Sequence, residues 1–291
     1  MPFWDAKKQI FHLFYLFDRR GHKSKCGLGA HQWGHIYSKN STEWFQCPLA
    51  IPIDRQEEGS ICTGSVIYYK EKYIAFYAVR MSDGSPAQLS FATSDNCIQF
   101  KKSEIYLGLD KPYTSESARD PMVFEGKDGK LNMLITTSIR KDEKTTLGCL
   151  AHAVFSFDFE NGIYDGQIGR EPLIIMEDEK EPECPDYFEH NGKYYLIYNI
   201  NGVAHYYISD VPLEDTIGIP VQSWQAPENN IVIDSKCRVP KTAKFGKNQD
   251  RIIAVGFRCH PNQEYAGTVY FSEIKQNPDG TLEFTEPLEF T

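Results

Sequence analysis

Three acidic residues share one local context, and they pose the question of chemistry. Glu183 opens Glu183-Cys184-Pro185-Asp186-Tyr187-Phe188, Asp120 stands in Arg119-Asp120-Pro121-Met122-Val123-Phe124, and Asp5 follows Phe3-Trp4 ahead of the aromatic run Ile10 to Phe17. Each precedes an aromatic or β-branched stretch, and after two of them a proline follows within two residues. Carboxyl groups gathered in one pocket divide their duties, because burial and mutual repulsion separate their pKa values. One can then hold a proton to donate while another stays ionised. That division requires a fold that brings together acids far apart in the chain.

Five repeated units supply such a fold. Each has an aromatic or β-branched hairpin followed by a further strand: 9–17 with 31–44, 65–80 with 87–102, 122–140 with 150–159, 187–200 with 204–210, and 241–257 with 268–284. Asp128-Gly129, Asn191-Gly192 and Asp279-Gly280 provide the positive φ that tight hairpins require. Little of the chain shows an apolar period of 3.6 residues. A spacing on the order of 60 residues suits four-stranded blades, so the expectation is an all-β fold, a five-bladed β-propeller forming a single domain over residues 1–291. A β-sandwich is the structural rival, but it leaves the recurrence of the acids unexplained. In a propeller the first strand of every blade lines the central channel, so acids at the entrances of first strands converge at one end of it. On this reading Asp5, Asp120 and Glu183 face one pocket.

Composition narrows the function further. The chain has 291 residues, a net charge of -9 and a pI near 5.4, which argues against nucleic acid as a partner, since such surfaces carry a basic stripe. The eight cysteines form no CxxC pair, which fits neither a zinc site nor a small disulfide scaffold, and Cys184 reads as a packed thiol. His31 and His35 share a strand face but lack further metal ligands. The loop from Lys23 to Gly29 lacks phosphate-loop spacing, and the acidic run from Glu177 to Glu181 reads as a solvated loop. No stretch approaches the roughly 20 apolar residues of a membrane span, and the run Ile10 to Phe17 is followed by no cleavage site. A cytoplasmic protein without a membrane partner is expected, unless a signal peptide has been removed.

The motifs resemble the catalytic propeller of glycoside hydrolase family 32 and its clan J relatives, the fructan hydrolases, invertases and fructosyltransferases. Arg119-Asp120-Pro121 is similar to the family's RDP motif and Glu183-Cys184-Pro185 to its ECP motif. Trp33-Gly34-His35 with Ser38-Lys39 and Trp44 resembles a WGH segment, and Thr63-Gly64-Ser65 resembles the blade-two FSGS motif. The likeness spans roughly residues 3 to 210. It implies a retaining hydrolase acting on a furanoside, foremost β-fructosides such as sucrose or fructo-oligosaccharides. Asp5 would be the nucleophile, Glu183 the general acid/base and Asp120 the stabiliser of the oxocarbenium-like state. Arg119 would hold Glu183 or a sugar hydroxyl, Trp4 and Trp33 would wall the sugar ring, and Ser65 would contact substrate.

Two departures accompany the likeness. Asp5 lacks the Asn and Pro that flank the family's nucleophile, and no C-terminal β-sandwich follows the fifth unit, which implies a minimal propeller or a divergent branch. The resemblance implies a small carbohydrate as partner and requires no metal or organic cofactor. Two alternatives stand beside it: an inverting arabinosidase- or xylosidase-like propeller, and a carbohydrate-binding propeller without catalysis. Oligomeric state is not legible.

Overall fold

The computed structural model describes residues 1–23, 29–40, 42–142, 145–213, 224–232, 237–259 and 267–285. Most of the loop between Lys23 and Gly29 therefore lies outside the described residues. The fold is all-strand, with no α-helix among the described residues, and its five antiparallel sheets are the blades of a propeller.

Blade one is β1 (Pro2–Asp5), β2 (Ile10–Lys23), β3 (Gly29–Ser38) and β4 (Phe45–Gln46). Blade two is β5 (Glu58–Tyr69), β6 (Lys72–Met81), β7 (Gln88–Ser94) and β8 (Lys101–Lys102). Blade three is β9 (Tyr113–Glu125), β10 (Leu131–Arg140), β11 (Thr146–Asp158) and β12 (Gly162–Ile168), with β13 (Ile174–Ile175) also pairing with β11. Among the described residues blade four has three strands, β14 (Glu183–His190), β15 (Lys193–Ile200) and β16 (Val203–Ser209). Blade five is β17 (Arg238–Phe245), β18 (Arg251–Cys259), β19 (Gly267–Gln276) and β20 (Leu282–Phe284). The inner strands β1, β5, β9, β14 and β17 neighbour one another in that order, and β17 meets β1 to close the ring.

Hydrophobic packing between blades holds the ring. Five buried clusters fill the five gaps: Phe14, Trp33 and Tyr77 between blades one and two, Phe76 and Phe155 between two and three, Leu134 and Leu196 between three and four. Tyr195 with Ile252 fills the fourth gap and Phe11 with Ile253 the fifth. Aromatic rings suit these wedges because each buries a large area on a pleated surface.

Inner strands of different blades share no ladder, so side chains join them through the neighbour's backbone. The Ser65 hydroxyl donates to Pro121 O (3.0 Å) and accepts from Val123 N (2.9 Å). The Asp120 carboxylate accepts from Cys184 N (2.9 Å). Asp186 accepts from Thr242 N (2.6 Å), while Lys241 Nζ donates to Pro185 O (2.8 Å). Trp4 Nε1 donates to Gly246 O (3.1 Å) where blade five meets blade one. Buried polar groups are satisfied here by partners distant in sequence.

The structure corrects the first unit. The run Ile10 to Phe17 is not the first strand of blade one but its second, because the four-residue strand β1 precedes it. A strand that short carries no alternation to reveal it. Asp5 is therefore the last residue of an inner strand, where Glu183 is the first residue of one.

Candidate active site

A repeated bulge positions the acids. In β9, β14 and β17 the register with the next strand slips by one residue at Asp120-Pro121, Cys184-Pro185 and Val239-Pro240. The residue before each proline has positive φ: 55° at Asp120, 48° at Cys184 and 43° at Val239. A bulge leaves residues outside the ladder, which suits a proline without an N–H, and it re-aims the neighbouring side chains. Asp120 is thereby turned toward blade four, where it holds the Cys184 amide.

Arg119, just before the first bulge, gathers three carboxylates. Its guanidinium donates to Glu183 Oε1 (2.9 Å), pairs with Glu181 at close range, and lies 3.8 Å from Asp120 Oδ2. Burial opposes the charge on Arg119, but the three acids outweigh it and raise its pKa. Exposure differs sharply within the group: the side chain of Asp120 is 6% exposed, Glu181 14%, and Glu183 44%. Glu183 alone of the three acids opens substantially to solvent. The structure thus brings together Asp120, Glu183 and Arg119.

Glu181 is the group that sequence reasoning missed. It accepts from Ser138 Oγ (2.5 Å) and bonds with Ser117 Oγ. Burial alone would push its pKa up, yet Arg119 and the two hydroxyls hold its carboxyl below the ordinary range. Its segment is fixed from behind: Gly148 N donates to Asp178 O (2.9 Å), and Thr136 Oγ1 donates to Pro182 O (2.8 Å). A Cβ on Gly148 would stand 2.0 Å from Lys180 O, so only glycine allows this close approach. The acidic run is thus solvated only up to its last member. The one signal for this is the spacing of Glu181 and Glu183, which puts both on one face of an extended segment.

Asp5 is not part of this group. Its Oδ2 accepts from Tyr73 Oη (2.5 Å), its Oδ1 accepts from Lys8 N (2.9 Å), and its residue is 4% exposed. Tyr73 pairs with Tyr68 near the C-terminal end of β5, so Asp5 stands at the opposite end of the channel from Glu183. Around the axis, Met1 lines a cavity of about 220 Å³ together with Gly64, Met122, Asp186 and Lys241. Each of the latter four directly follows the register slip of its own strand.

The remaining expected contacts divide. Trp4 lines the axial cavity, with its ring 4.6 Å from that of Phe245. Trp33 is wholly buried and donates to Cys62 O (2.8 Å), so it packs blades one and two together and cannot wall a sugar. Ser65 reaches the same axial cavity, but its hydroxyl is engaged on both sides by blade three. Burial pushes the Cys184 thiol well up. His31 pairs with Asp18, whereas His35 Nε2 meets His12 Nδ1 at 3.0 Å, so the two histidines turn to different partners. Among the described residues no three His, Cys, Asp or Glu side chains are grouped to hold a metal.

Asp186 also went unforeseen. It is 1% exposed in the axial wall; burial raises its pKa, against the pull of Lys241 and the Thr242 amide. Beside Glu181 a second cavity, about 550 Å³, is lined by Thr114, Ser117, Ser138, Arg140 and Glu116.

Comparison with known proteins bears on this geometry. The model of the glycosyl hydrolases family 32 N-terminal domain matches residues 5–238. No curated protein matches the sequence. The fold is similar to that of fructan 1-exohydrolase IIa from Cichorium intybus in complex with 1-kestose, with a TM-score of 0.74 and 15% identity over 98% of this chain and 57% of that one. It is also similar to a Bombyx mori β-fructofuranosidase, at TM-score 0.70 and 18% identity over 96% of this chain and 60% of that one. A thermostable family-43 glycoside hydrolase gives TM-score 0.71 and 16% identity over 99% of this chain and 93% of that one. At these identities the likeness concerns the fold. The chain spans about 57% of the length of the fructan exohydrolase and 60% of that of the fructofuranosidase.

Proposed function

Because the chain belongs to glycosyl hydrolase family 32, we propose that it is the propeller of a glycoside hydrolase that cleaves a furanoside, with β-fructosides such as sucrose or fructo-oligosaccharides as the substrate class. The observation that carries the reading is a solvent-open carboxyl, Glu183, set beside a buried one, Asp120, with Arg119 between them. In the proposed reaction Glu183 gives its proton to the glycosidic oxygen as the C–O bond breaks, and the bonding electrons leave with that oxygen. Asp120 and Arg119 hold ring hydroxyls while positive charge develops on the sugar. Water then forms the new C–O bond to the anomeric carbon on the face the leaving group has vacated, as Glu183, now a carboxylate, takes its proton, so that configuration is retained. The role of nucleophile is not given to Asp5, whose oxygens serve Tyr73 and Lys8 at the far end of its strand.

A second reading has support of its own. The likeness to the family-43 hydrolase covers 99% of this chain and 93% of that one. In this reading water attacks directly and configuration inverts. A panel of sucrose, fructo-oligosaccharides and arabinofuranosides, with the product anomer read by NMR, separates the possibilities. Retained fructose supports the first reading and an inverted product the second. Binding without turnover removes catalysis from the account, and neither binding nor turnover removes the site.

A further inference from the structure

We propose that Glu181 is a positioning residue that takes up the charge of Arg119, so that Glu183 remains able to hold a proton. The inference rests on the reading of Glu183 as proton donor. The difficulty it resolves is physical. A guanidinium 2.9 Å from a carboxyl group favours the ionised form, which is the wrong form for a proton donor. Were Arg119 paired with Glu183 alone, the acid would be held as a carboxylate.

The geometry divides that positive charge. Glu181 pairs with the Nη1 corner of Arg119, Glu183 with the Nη2 corner, and Asp120 approaches Nε. Glu181 is the anchored partner, bonded to Ser117 and Ser138 and largely buried, whereas Glu183 contacts Arg119 from a half-open position. Two effects of Glu181 act on Glu183 in the same direction: it occupies the guanidinium, and its own negative charge repels a second carboxylate nearby. Both favour the protonated form of Glu183.

Among the described residues the other groups around Glu183 are few. Asp120 and Arg119 face it from β9, and the Cys184 thiol adjoins it, kept neutral by burial. The Asn199 side-chain amide donates to the Glu183 carbonyl from β15 (3.2 Å). In blade five, Lys241 is bound to Pro185 O and Arg238 lies along Gly202, 3.5 Å from where its Cβ would stand. None of these takes the place of Glu181 on Arg119.

The test reads the Glu183 carboxyl directly, by 13C NMR titration of glutamate-labelled full chain, with and without Glu181→Gln. The variant keeps the volume and removes the charge. The Glu183 midpoint is expected to fall by about one pH unit, so that the protonated fraction at neutral pH falls about tenfold. The alkaline limb of kcat/KM on a hydrolysed furanoside is expected to move down with it. Ser138→Ala, which weakens the anchoring of Glu181 but leaves its charge, should leave the Glu183 midpoint in place. An unmoved midpoint in Glu181→Gln overturns the inference. If the midpoint moves as expected and no furanoside is cleaved, the electrostatic role stands and the hydrolase reading falls.

Discussion

Asp5→Asn separates a structural carboxylate from a catalytic one. In the structure Asp5 caps the β1–β2 turn through the Lys8 amide (2.9 Å) and receives the Tyr73 hydroxyl (2.5 Å), with 4% of the residue exposed. Hydrogen bonds to a charged group contribute about 1.5–3 kcal/mol each, and asparagine keeps one carbonyl oxygen to serve one of them. The expected net loss is therefore about 2 kcal/mol. At about 2–4 °C per kcal/mol for a chain of this size, the melting temperature should drop by roughly 4–8 °C. Turnover by the folded variant should change little, because neither oxygen reaches the Arg119 group. Thermal melts followed by circular dichroism give the first quantity, and initial rates well below the melting range give the second. An unchanged melting temperature together with a loss of turnover of a thousandfold or more would refute this reasoning and return the nucleophile to Asp5.

Other perturbations test the frame around the site. Lys102 Nζ lies 2.6 and 2.7 Å from the two oxygens of the fully buried Glu58, so Lys102→Met should cost about 3–5 kcal/mol in a urea melt, with much of it recovered by adding Glu58→Gln. Burial holds His12 at about 4 and His35 at about 3, below the ordinary 6.5, so the folded chain binds fewer protons there than the unfolded chain. Their contribution to stability is complete above pH 6.5 and is lost as pH falls toward 4, and His35→Phe should flatten that fall in a series of melts. Gly148→Ala would force a Cβ to within 2.0 Å of Lys180 O, displacing the segment that carries Glu181. A loss of about 1–3 kcal/mol and a drop in kcat/KM are expected together, and a variant with wild-type melting and activity would contradict the packing.

The sequence revealed the blades where turn chemistry and alternation agreed. Asn191-Gly192 takes φ of 47° and 79° and joins two strands of aromatic alternation, so the blade-four hairpin could be read from its residues. The prolines after Asp120 and Cys184 were visible too, but the reason for them, a slip in register that re-aims the side chains before them, is a property of paired strands. The first blade was misread because β1 has four residues and no period, so the acid that ends it, Asp5, was placed at the wrong end of the channel. Trp33 was legible as the aromatic of the Trp33-Gly34-His35 segment, yet its burial comes from blade two, where Tyr77 packs near its ring and Cys62 O accepts its N–H. Glu181 was hidden for the same reason: Ser117, Arg119 and Ser138, which remove it from solvent, all belong to blade three. Local signals gave strands and turns, while the site depends on what neighbouring blades do to each other.

Dependence on the leaving group shows whether Glu183 donates the proton. Glu183→Gln should be compared with the parent on two substrates: a fructo-oligosaccharide, whose departing alcohol needs a proton, and an aryl furanoside of the same sugar, whose phenolate leaves without one. Loss of a general acid costs about 10²–10⁴-fold where protonation is needed. With Glu183 as the donor, a loss of that size is expected on the oligosaccharide and a much smaller one on the aryl substrate. Equal losses on both substrates, or no loss on either, would contradict it.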